Sequence, residues 1–588
     1  MLSVQARQTY SMRTSDGVRL DADVYFPEGE GPFPVLLMRQ PYGRAIASTI
    51  VYAHPQWYAA HGYIVVIQDV RGRGSSEGVF DLFAYEVSDG GETVAWAAEL
   101  PGSDGQVGMY GFSYQGMTQL YAAEARLAAL KTIAPAMTGY HLYEDWATEN
   151  GALYFQLGLM WALQLAAETA RIRGDVVSFD QLLQAAHQLP VRDPIPVCPK
   201  VLSGVSSFFH DWVKRPPTDG YWQRLIPQLS EVDLPMLHIG GWFDPYLRGD
   251  LRLYREMAAR SQYCHHFWVG PWGHIPWARK VGAVDFGPAA ASPVDRLQIR
   301  WFDAILKGKD KRGLTAERPV CLFEMGRNQW RQFADWPDEV STGPSREPKS
   351  RELKSREPKS REPKSRELTY YLHSEGLSHI RADSGVLALA ASSQLAYDTL
   401  VHDPWNPAPA LGGHSAVPAG SFERTAIDMR GDVLTYTSLP LESELRVAGV
   451  PRVRCAIATE SVSYDLCAVL SRVTQQGEAY NLTQGYRRVD AAIANPPKYN
   501  QLTPNLVPKG SEPVDLPLHP TCFSLFPGEC LRLSLSAACF PAYAINAGTG
   551  LPLAQSRLID AQIITLVFEI GAESGSVLHL PIGSDQMP

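Results

Sequence analysis

The chain has 588 residues, of which 45% are hydrophobic and 20% are charged. At about 150 residues per domain this length suggests roughly two to four folded domains, and the composition excludes wholesale disorder. The formal net charge of −9 argues against nucleic acid as a partner, because proteins that bind nucleic acid present clustered positive charge.

The cysteines and the apolar segments exclude further classes. Eight cysteines are scattered along the chain without a Cys-x-x-Cys pair, so neither a disulfide framework nor a thiolate zinc site is expected. The N-terminal residues lack the basic and apolar regions of a signal peptide. The most apolar segment, 151–167, contains two glutamines and is short for a membrane span, so we expect a buried helix there. These features predict a cytoplasmic protein without a membrane partner.

The first part of the chain alternates between strand-like and helix-like segments. The apolar runs at 35–38 and 63–67 are bounded by turn residues, as is typical of buried parallel strands, and 86–99 and 115–127 have helical length. Such alternation predicts a doubly wound α/β sheet.

The strand-like pattern then stops and later returns. Residues 141–233 have a helical character with several aromatic side chains, and strand-like runs resume at 236–239 and 266–269. We therefore predict an α/β domain made of residues 1–140 and 234–315, with 141–233 inserted as a helical cap.

The remainder of the chain, 316–588, predicts an all-β domain. Leu531, Leu533 and Leu535 alternate with polar residues, and many short alternating segments are joined by Pro- and Gly-rich connections. This pattern favours a β-sandwich or jelly roll.

A five-residue repeat, Ser-Arg-Glu-(Pro or Leu)-Lys, interrupts this domain from Ser345 to Leu368. Its period is too short for a solenoid unit, and its prolines interrupt any helix. The repeat is either a basic tether or an expanded surface loop without a function, and the second interpretation is favoured because nothing in it can form a core.

Two segments contain a candidate catalytic serine. Ser76 satisfies a literal Gly-x-Ser-x-Gly pattern in Gly74–Gly78, but that segment leads into a loop. Ser113, in Gly111-Phe-Ser-Tyr-Gln-Gly, lies between a predicted strand and a predicted helix, where the nucleophile of an α/β-hydrolase is found, although the second glycine is displaced by one position. The alternative is an ordinary turn serine.

An acid and a base follow Ser113 in the order that α/β-hydrolases use. Asp244 and His274 each follow a predicted parallel strand, so both are expected at the sheet edge where ligands bind. In isolation the simpler interpretation of each residue is favoured, Asp244 as a turn former before Pro245 and His274 as a surface loop histidine. The order and placement of all three residues predict a Ser-His-Asp triad.

These segments resemble the CocE/NonD group of serine hydrolases, which includes cocaine esterase and X-Pro dipeptidyl-peptidase. The resemblance spans nearly the whole chain apart from the repeat. The segments that carry it are Arg39-Gln-Pro-Tyr-Gly, Asp69-Val-Arg-Gly-Arg-Gly-Ser-Ser-Glu-Gly, Gly111-Phe-Ser-Tyr-Gln-Gly, Gly241-Trp-Phe-Asp, Gly270-Pro-Trp-Gly-His, Asp403-Pro-Trp-Asn-Pro and Asp432-Val-Leu-Thr-Tyr-Thr.

The resemblance implies an α/β-hydrolase domain with a helical cap and a C-terminal jelly roll. It also implies an oxyanion hole made of the Tyr42 hydroxyl and the Tyr114 amide, and no cofactor or metal. Trp146, Trp161 and Phe243 are candidates for the substrate pocket, although cap aromatics more often serve packing.

The substrate stays open at this stage. A small carboxylic ester or acyl amide is favoured, with an X-Pro dipeptidyl aminopeptidase or an α-amino acid ester hydrolase as the alternative. Glu144, Asp145 and Glu149 would bind a substrate ammonium in the alternative, whereas a solvated acidic face is the simpler interpretation. A glycan-binding protein with a lapsed hydrolase domain is the non-enzymatic alternative, and the oligomeric state is undetermined, with a homodimer allowed.

Overall fold

The computed structural model describes the chain except residues 46–48, 190–199, 311–312, 315–316, 338–365, 382, 491–512, 574 and 583–588. Most of the Ser345–Leu368 repeat therefore lies outside the described residues. Within the described part, no helix combines the length and the apolar character needed to cross a membrane.

The first part of the chain builds a ten-stranded sheet and the helices around it. In chain order the strands of this part are β1 (Gln8–Arg13), β2 (Arg19–Tyr25), β3 (Phe33–Gln40), β4 (Ile64–Asp69), β5 (Ser103–Phe112), β6 (Leu130–Ala136), β7 (Thr148–Glu149), β8 (Ala152–Leu153), β9 (Met236–Phe243), β10 (His265–Gly273), β11 (Lys280–Val281), β12 (Val284–Asp285), β13 (Val320–Glu324) and β14 (Gln329–Phe333). The pairs β7–β8 and β11–β12 are separate short hairpins, and the other ten strands form the sheet. The helices are α1 (Pro55–Ala60), α2 (Glu86–Ala98), α3 (Tyr114–Glu124), α4 (Phe155–Ile172), α5 (Val176–His187), α6 (Phe208–Lys214), α7 (Gly220–Arg224), α8 (Leu247–Arg260) and α9 (Val294–Leu306).

The sheet has the order β1-β2-β4-β3-β5-β6-β9-β10-β13-β14. The strands from β4 to β13 in this order are parallel, and antiparallel strands flank them on both sides. Neighbouring residues of β3 face opposite sides: Leu37 packs in the core that contains α2 and α3, whereas Leu36 packs in the core that contains α1 and α9. Both faces are thus covered by helices, which explains why the parallel strands are mostly buried and rich in apolar residues.

The sheet continues past residue 315, where the predicted division of the chain ends the hydrolase domain. β13 pairs in parallel with β10, and β14 returns antiparallel to β13 as the edge strand. Met325, just after β13, forms a bridge with Phe523 of the following domain. This end of the sheet therefore also contacts the strand-rich part of the chain that follows it.

The helices α4 to α7 lie between β6 and β9, preceded by a π-helical turn at Leu142–Ala147. α4 takes up most of the apolar segment 151–167, and its buried residues, among them Leu159, Leu163 and Ala166, pack in the same core as α2 and α3.

The rest of the chain is dominated by strands. They are β15 (Arg366–His373), β16 (Val386–Ala388), β17 (Ala396–His402), β18 (Val433–Ser438), β19 (Leu445–Gly449), β20 (Arg452–Ala458), β21 (Ser463–Val473), β22 (Ala479–Asp490), β23 (Val514–Pro517), β24 (Thr521–Leu525), β25 (Cys530–Ser536), β26 (Ile564–Ile570) and β27 (Val577–Ile582), with one short helix, α10 (Thr425–Asp428). These thirteen strands are hydrogen-bonded into one continuous set. Leu531, Leu533 and Leu535 of β25 are fully buried in its core.

The last residues of the repeat belong to this sheet. Residues 366–368 begin β15 and pair with β27 in the register Arg366↔Ile582, Glu367↔Pro581 and Leu368↔Leu580. The interpretation of the whole repeat as a surface loop is wrong for these three residues. Because the repeat motif hides the alternation of a strand, its final copy could not be distinguished from the others.

Candidate active site

Ser113 occupies a strained turn between β5 and α3. Its φ of 59° and ψ of −126° lie in a region that side chains rarely adopt, as in the nucleophile elbow of α/β-hydrolases. A Cβ at Gly111 would lie 2.4 Å from that of Gln115, and one at Gly116 would lie 2.6 Å from that of Thr138. Both glycines are therefore required for the chain to turn this tightly.

Asp244 and His274 lie at the ends of neighbouring parallel strands, β9 and β10. Their side chains meet with 2.5 Å between Asp244 Oδ2 and His274 Nδ1. Asp244 is fully buried, and its second oxygen accepts a hydrogen bond from the Tyr246 amide at 2.9 Å. With Nδ1–H donated to the carboxylate, His274 keeps Nε2 as the ring atom that can accept a proton.

Ser113 and His274 open into one cavity of about 590 Å³. Most of its lining is apolar and comes from α4 and α5, including Leu157, Met160 and Phe179. A nucleophilic hydroxyl and an imidazole oriented by a buried carboxylate therefore face a space that fits a small, largely apolar molecule.

The hydroxyl of Tyr42 lies at the same cavity, beside Ser113. It accepts a hydrogen bond from Trp161 Nε1 at 3.1 Å and also interacts with the Ser113 side chain. Burial raises the pKa of the Tyr42 phenol, so it stays protonated and can donate. Tyr114 occupies the first position of α3, where a backbone N–H has no partner within the helix.

Of the three predicted pocket residues, two line the cavity. Trp146 stacks on Tyr246 with 4.5 Å between ring centres and lies 5.3 Å from Trp161. Phe243 is not among the described residues that line it; its ring lies 6.3 Å from that of Phe286, in the same core as its neighbour Trp242. The structure therefore places Phe243 outside the described lining of the cavity.

Tyr246 and Glu168 line the cavity but were missed in the sequence. Tyr246 presents its ring to His274 with 5.2 Å between centres. Glu168 is bound at both oxygens by Arg171, each at 2.7 Å. The helical spacing of Trp161, Leu165 and Glu168 on one face of α4 is the signal that would have identified Glu168.

The acidic residues that precede α4 do not form a solvated face. Asp145 is buried, binds the Tyr140 amide at 2.9 Å and is paired with Arg252, which also pairs with Glu144. Glu149 is fully buried and accepts hydrogen bonds from tyrosine hydroxyls and His414. Sequence reasoning could not identify Arg252 and His414 as partners because they lie far from Asp145 and Glu149 along the chain.

Glu149, His414 and His519 are the one group of potential metal ligands within the described residues. The rings of His414 and His519 stack 3.5 Å apart at 16°, so their lone pairs point side by side and do not converge on one point. Glu149 Oε2 already accepts from His414 and from the Tyr154 hydroxyl. This geometry fits a hydrogen-bonded junction between the two parts of the chain better than a metal centre.

Comparison with known proteins gives this fold and site a context. The family model of the X-Pro dipeptidyl-peptidase (S15 family) matches residues 16–276, and that of the X-Pro dipeptidyl-peptidase C-terminal non-catalytic domain matches residues 312–566. Cocaine esterase from a Rhodococcus species is 29% identical over 592 residues, which cover 96% of each chain.

Solved structures with low sequence identity share the fold over nearly the full length. An aminopeptidase from a marine sediment Thaumarchaeota archaeon matches with a TM-score of 0.78, 22% identity, and 99% of this chain and 97% of that one covered. An α-amino acid ester hydrolase matches with a TM-score of 0.73, 20% identity and the same coverage.

The protein is a serine hydrolase with an α/β-hydrolase fold and a strand-rich, non-catalytic C-terminal domain. The two family models match the two parts of the chain in turn, the catalytic model the first and the non-catalytic model the second. The resemblance predicted from the sequence motifs is confirmed.

Proposed function

We propose that the protein hydrolyses small, apolar carboxylic esters or acyl amides through a triad of Ser113, His274 and Asp244. The observation that carries this proposal is the 2.5 Å contact between Asp244 and His274 at the cavity into which the strained Ser113 opens. The relationship to cocaine esterase supports an ester as the substrate.

The chemistry follows from the roles of the three side chains. Ser113 Oγ attacks the carbonyl carbon while His274 Nε2 takes its proton, and the same proton then goes to the leaving alcohol or amine. Asp244 holds the imidazole in the required tautomer and stabilises the imidazolium. Water activated by His274 then hydrolyses the acyl-enzyme and releases a carboxylic acid.

The oxyanion of each tetrahedral intermediate binds to two donors, the Tyr42 hydroxyl and the Tyr114 backbone N–H. The Tyr42 hydroxyl accepts from Trp161, which leaves its own hydrogen for the oxyanion. Donors aimed at developing charge in a dry site are among the largest contributions to catalysis.

The lining of the cavity favours a neutral substrate. Glu144, Asp145 and Glu149 are held by partners outside the cavity, and Glu168, which does line it, is bound by Arg171. An X-Pro dipeptidyl aminopeptidase or an α-amino acid ester hydrolase is the second candidate, supported by the family model and by a solved relative.

We also infer the finer organisation of the molecule. The segment 141–233 acts as a cap over the active-site cavity, and the strand-rich domain that follows is a jelly roll, so that the hydrolase domain consists of 1–140 and 234 to about 315, extended by the edge strands β13 and β14. A cytoplasmic location stays a prediction, and the oligomeric state stays undetermined, with a homodimer allowed.

The Ser113→Ala variant tests the proposal. We expect a loss of about 10⁴- to 10⁶-fold in kcat for an activated short-chain ester, with an unchanged melting temperature, and labelling of Ser113 by a serine-directed phosphonate in the parent. Ser76→Ala is the matched control, because Ser76 Oγ donates to the Asp69 carbonyl and accepts from the Asp21 amide. It should lower stability and spare kcat; the reverse pattern for the two serines would refute the assignment.

The same assay separates the two substrate classes. We expect the parent to cleave butyrate esters faster than α-amino esters or X-Pro anilides, since no unpaired carboxylate among the described residues faces the cavity. Preferred cleavage of an X-Pro anilide would establish the second candidate while leaving the triad in place.

A further inference from the structure

A second cavity of about 290 Å³ adjoins the active-site cavity. The two are lined by different faces of α4: Ala162, Ala166 and Thr169 face the second cavity, and Leu165 contributes to both. The remaining walls come from the segments 78–82 and 206–208. Neither Ser113 nor His274 lines this space.

Arg73 lies in the wall of this second cavity and is only 2% exposed. Its NH1 donates to the Leu165 carbonyl at 3.1 Å and to Thr169 Oγ1 at 3.2 Å, and its guanidinium lies 3.8 Å from the ring centre of Phe80. Its Nε is buried without a hydrogen-bond partner in the described part of the chain. The guanidinium therefore has donor capacity to spare.

Unlike its neighbours, Arg73 forms no close ion pair with a described residue, and the Glu168 carboxylate attracts it only from a greater distance. Arg71, two residues earlier, is paired with Asp16 and Asp89, and Arg39 is paired with Glu86. No carboxylate of a described residue lies within 4.0 Å of Arg73, and burial lowers the pKa of its guanidinium to about 10. A buried charge without a partner is costly, and such a cost is typical of a site that a ligand completes.

We propose that this cavity binds a small monocarboxylate, whose carboxylate pairs with the Arg73 guanidinium. The planar fork of an arginine matches the two oxygens of a carboxylate. The hydroxyl-bearing Ser206 and Thr169 also line the space.

The carboxylates in the cavity wall favour a singly charged over a doubly charged ligand. Asp81 and Asp211 line the cavity as well, and Asp211 is bound to Arg215 at 2.7 Å. Their negative charge disfavours a dianion such as inorganic phosphate. The volume of about 290 Å³ accommodates an acid of a few carbon atoms.

Isothermal titration of the full-length enzyme with sodium propionate, at ionic strength held constant with NaCl, tests the proposal. We expect saturable binding at one site for propionate, no binding for the neutral propionamide, and much weaker binding for phosphate. Arg73→Met should weaken propionate binding at least about tenfold. Arg224→Gln, which removes an exposed arginine of α7, should leave it unchanged.

A second arm excludes the active site as the place of binding, because the product of the proposed hydrolysis is also a carboxylate. Enzyme blocked by a serine-directed phosphonate, with labelling verified by mass spectrometry, should bind propionate as the free enzyme does. If Arg73→Met does not fold, binding is measured through the melting temperature of the parent. That temperature should rise with propionate and not with propionamide. The rise should be smaller for Arg73→Lys. Absence of saturable binding, binding unaffected by Arg73 substitution, or loss of binding in the blocked enzyme would overturn the proposal.

Discussion

The indole of Trp161 determines what the Tyr42 hydroxyl can do. A tyrosine hydroxyl carries one hydrogen and two lone pairs, and here one lone pair accepts the Trp161 N–H at 3.1 Å. The hydrogen is then free to donate to the proposed oxyanion, beside Ser113. Trp161 therefore has two functions, since its ring lines the cavity while its N–H orients the donor.

Tyr42→Phe removes this donor and keeps the ring. We expect kcat to fall by about 10²- to 10³-fold, with little change in KM, because the hydrogen bond forms with the tetrahedral oxygen. Steady-state kinetics of an activated ester on the folded variant measure this.

Tyr121→Phe is the matched control for this experiment. It removes a buried hydroxyl that donates to the Leu225 carbonyl at 2.7 Å, away from the cavity. It should cost stability and leave kcat unchanged. A Tyr42→Phe variant with a kcat within about threefold of the parent, against the loss expected for an oxyanion donor, would exclude Tyr42 from the oxyanion hole.

The positions of Ser113, Asp244 and His274 were predictable because each one follows a recognisable strand. The carboxyl ends of parallel strands meet at one edge of the sheet, so chain order and strand assignment were sufficient to group them. The side of β9 that Phe243 faces and the partners of Glu149 depend on packing between distant segments. No local pattern reports such packing.

At the scale of elements, α4 explains both cavities. Its length lets one face close the active-site cavity and an adjoining face close the cavity of Arg73. Its apolar composition predicted a buried helix. That it would separate two cavities was not predictable, because the segments on both sides of it come from distant parts of the chain.

The repeat can be removed only as far as the start of β15 without loss of strand pairing. Residues 366–368 pair with β27, and Leu368 packs against the core, whereas 345–365 lie outside the described residues. The helical and strand periods that reveal elements elsewhere are overridden by the five-residue repeat. A strand that starts within the repeat was therefore not predictable.

Two deletions follow from this boundary. Replacement of 345–365 by a short Gly/Ser linker should leave activity and melting temperature nearly unchanged, because loop-closure entropy changes by only about 0.6 kcal/mol per doubling of length. Deletion of 345–368 should cost at least about 2 kcal/mol more, since it removes strand pairing and the Leu368 contact. Thermal and urea unfolding of both variants decide this. Equal stability of the two would contradict the assignment of 366–368 to the sheet.

At the scale of the whole molecule, a polar junction joins the segment 141–233, the proposed cap, to the strand-rich domain. Glu149 accepts hydrogen bonds from the hydroxyls of Tyr154 and Tyr543 and from His414, and one of its oxygens accepts the Tyr486 amide at 3.1 Å. Tyr154 belongs to the cap segment, whereas the other partners belong to the strand-rich domain. A single buried carboxylate thus binds both.

This junction also reaches the acid of the proposed triad. The Tyr154 hydroxyl, which donates to Glu149, lies 3.4 Å from the carbonyl oxygen of Pro245, the residue after Asp244. His519, whose pKa is lowered by burial and by His414, also interacts with the Pro245 backbone. The strand-rich domain therefore supports the loop that holds Asp244, which gives this non-catalytic domain a structural role at the active site.

The ionisation of Glu149 makes the junction sensitive to acid. Burial opposes the charge of Glu149, but the nearby His414 and Arg248 outweigh burial and lower the pKa of its carboxyl. A carboxyl with a lowered pKa in the folded state stabilises the protein above its ordinary pKa of about 4.3, and this contribution is lost as the pH falls below that value. The parent should therefore lose stability progressively below about pH 4.

Glu149→Gln tests the origin of this acid sensitivity. At pH 7 the variant should be less stable by about 3 to 5 kcal/mol, because the charges of the junction lose their partner, and its stability should vary less with pH in the acid range. Urea unfolding followed by tryptophan fluorescence between pH 3 and 7 gives both quantities. Glu144→Gln, which removes a half-exposed carboxylate paired with Arg252, should change stability by less than about 1 kcal/mol and keep the acid slope. An acid slope of Glu149→Gln equal to that of the parent would show that other carboxyls cause the loss.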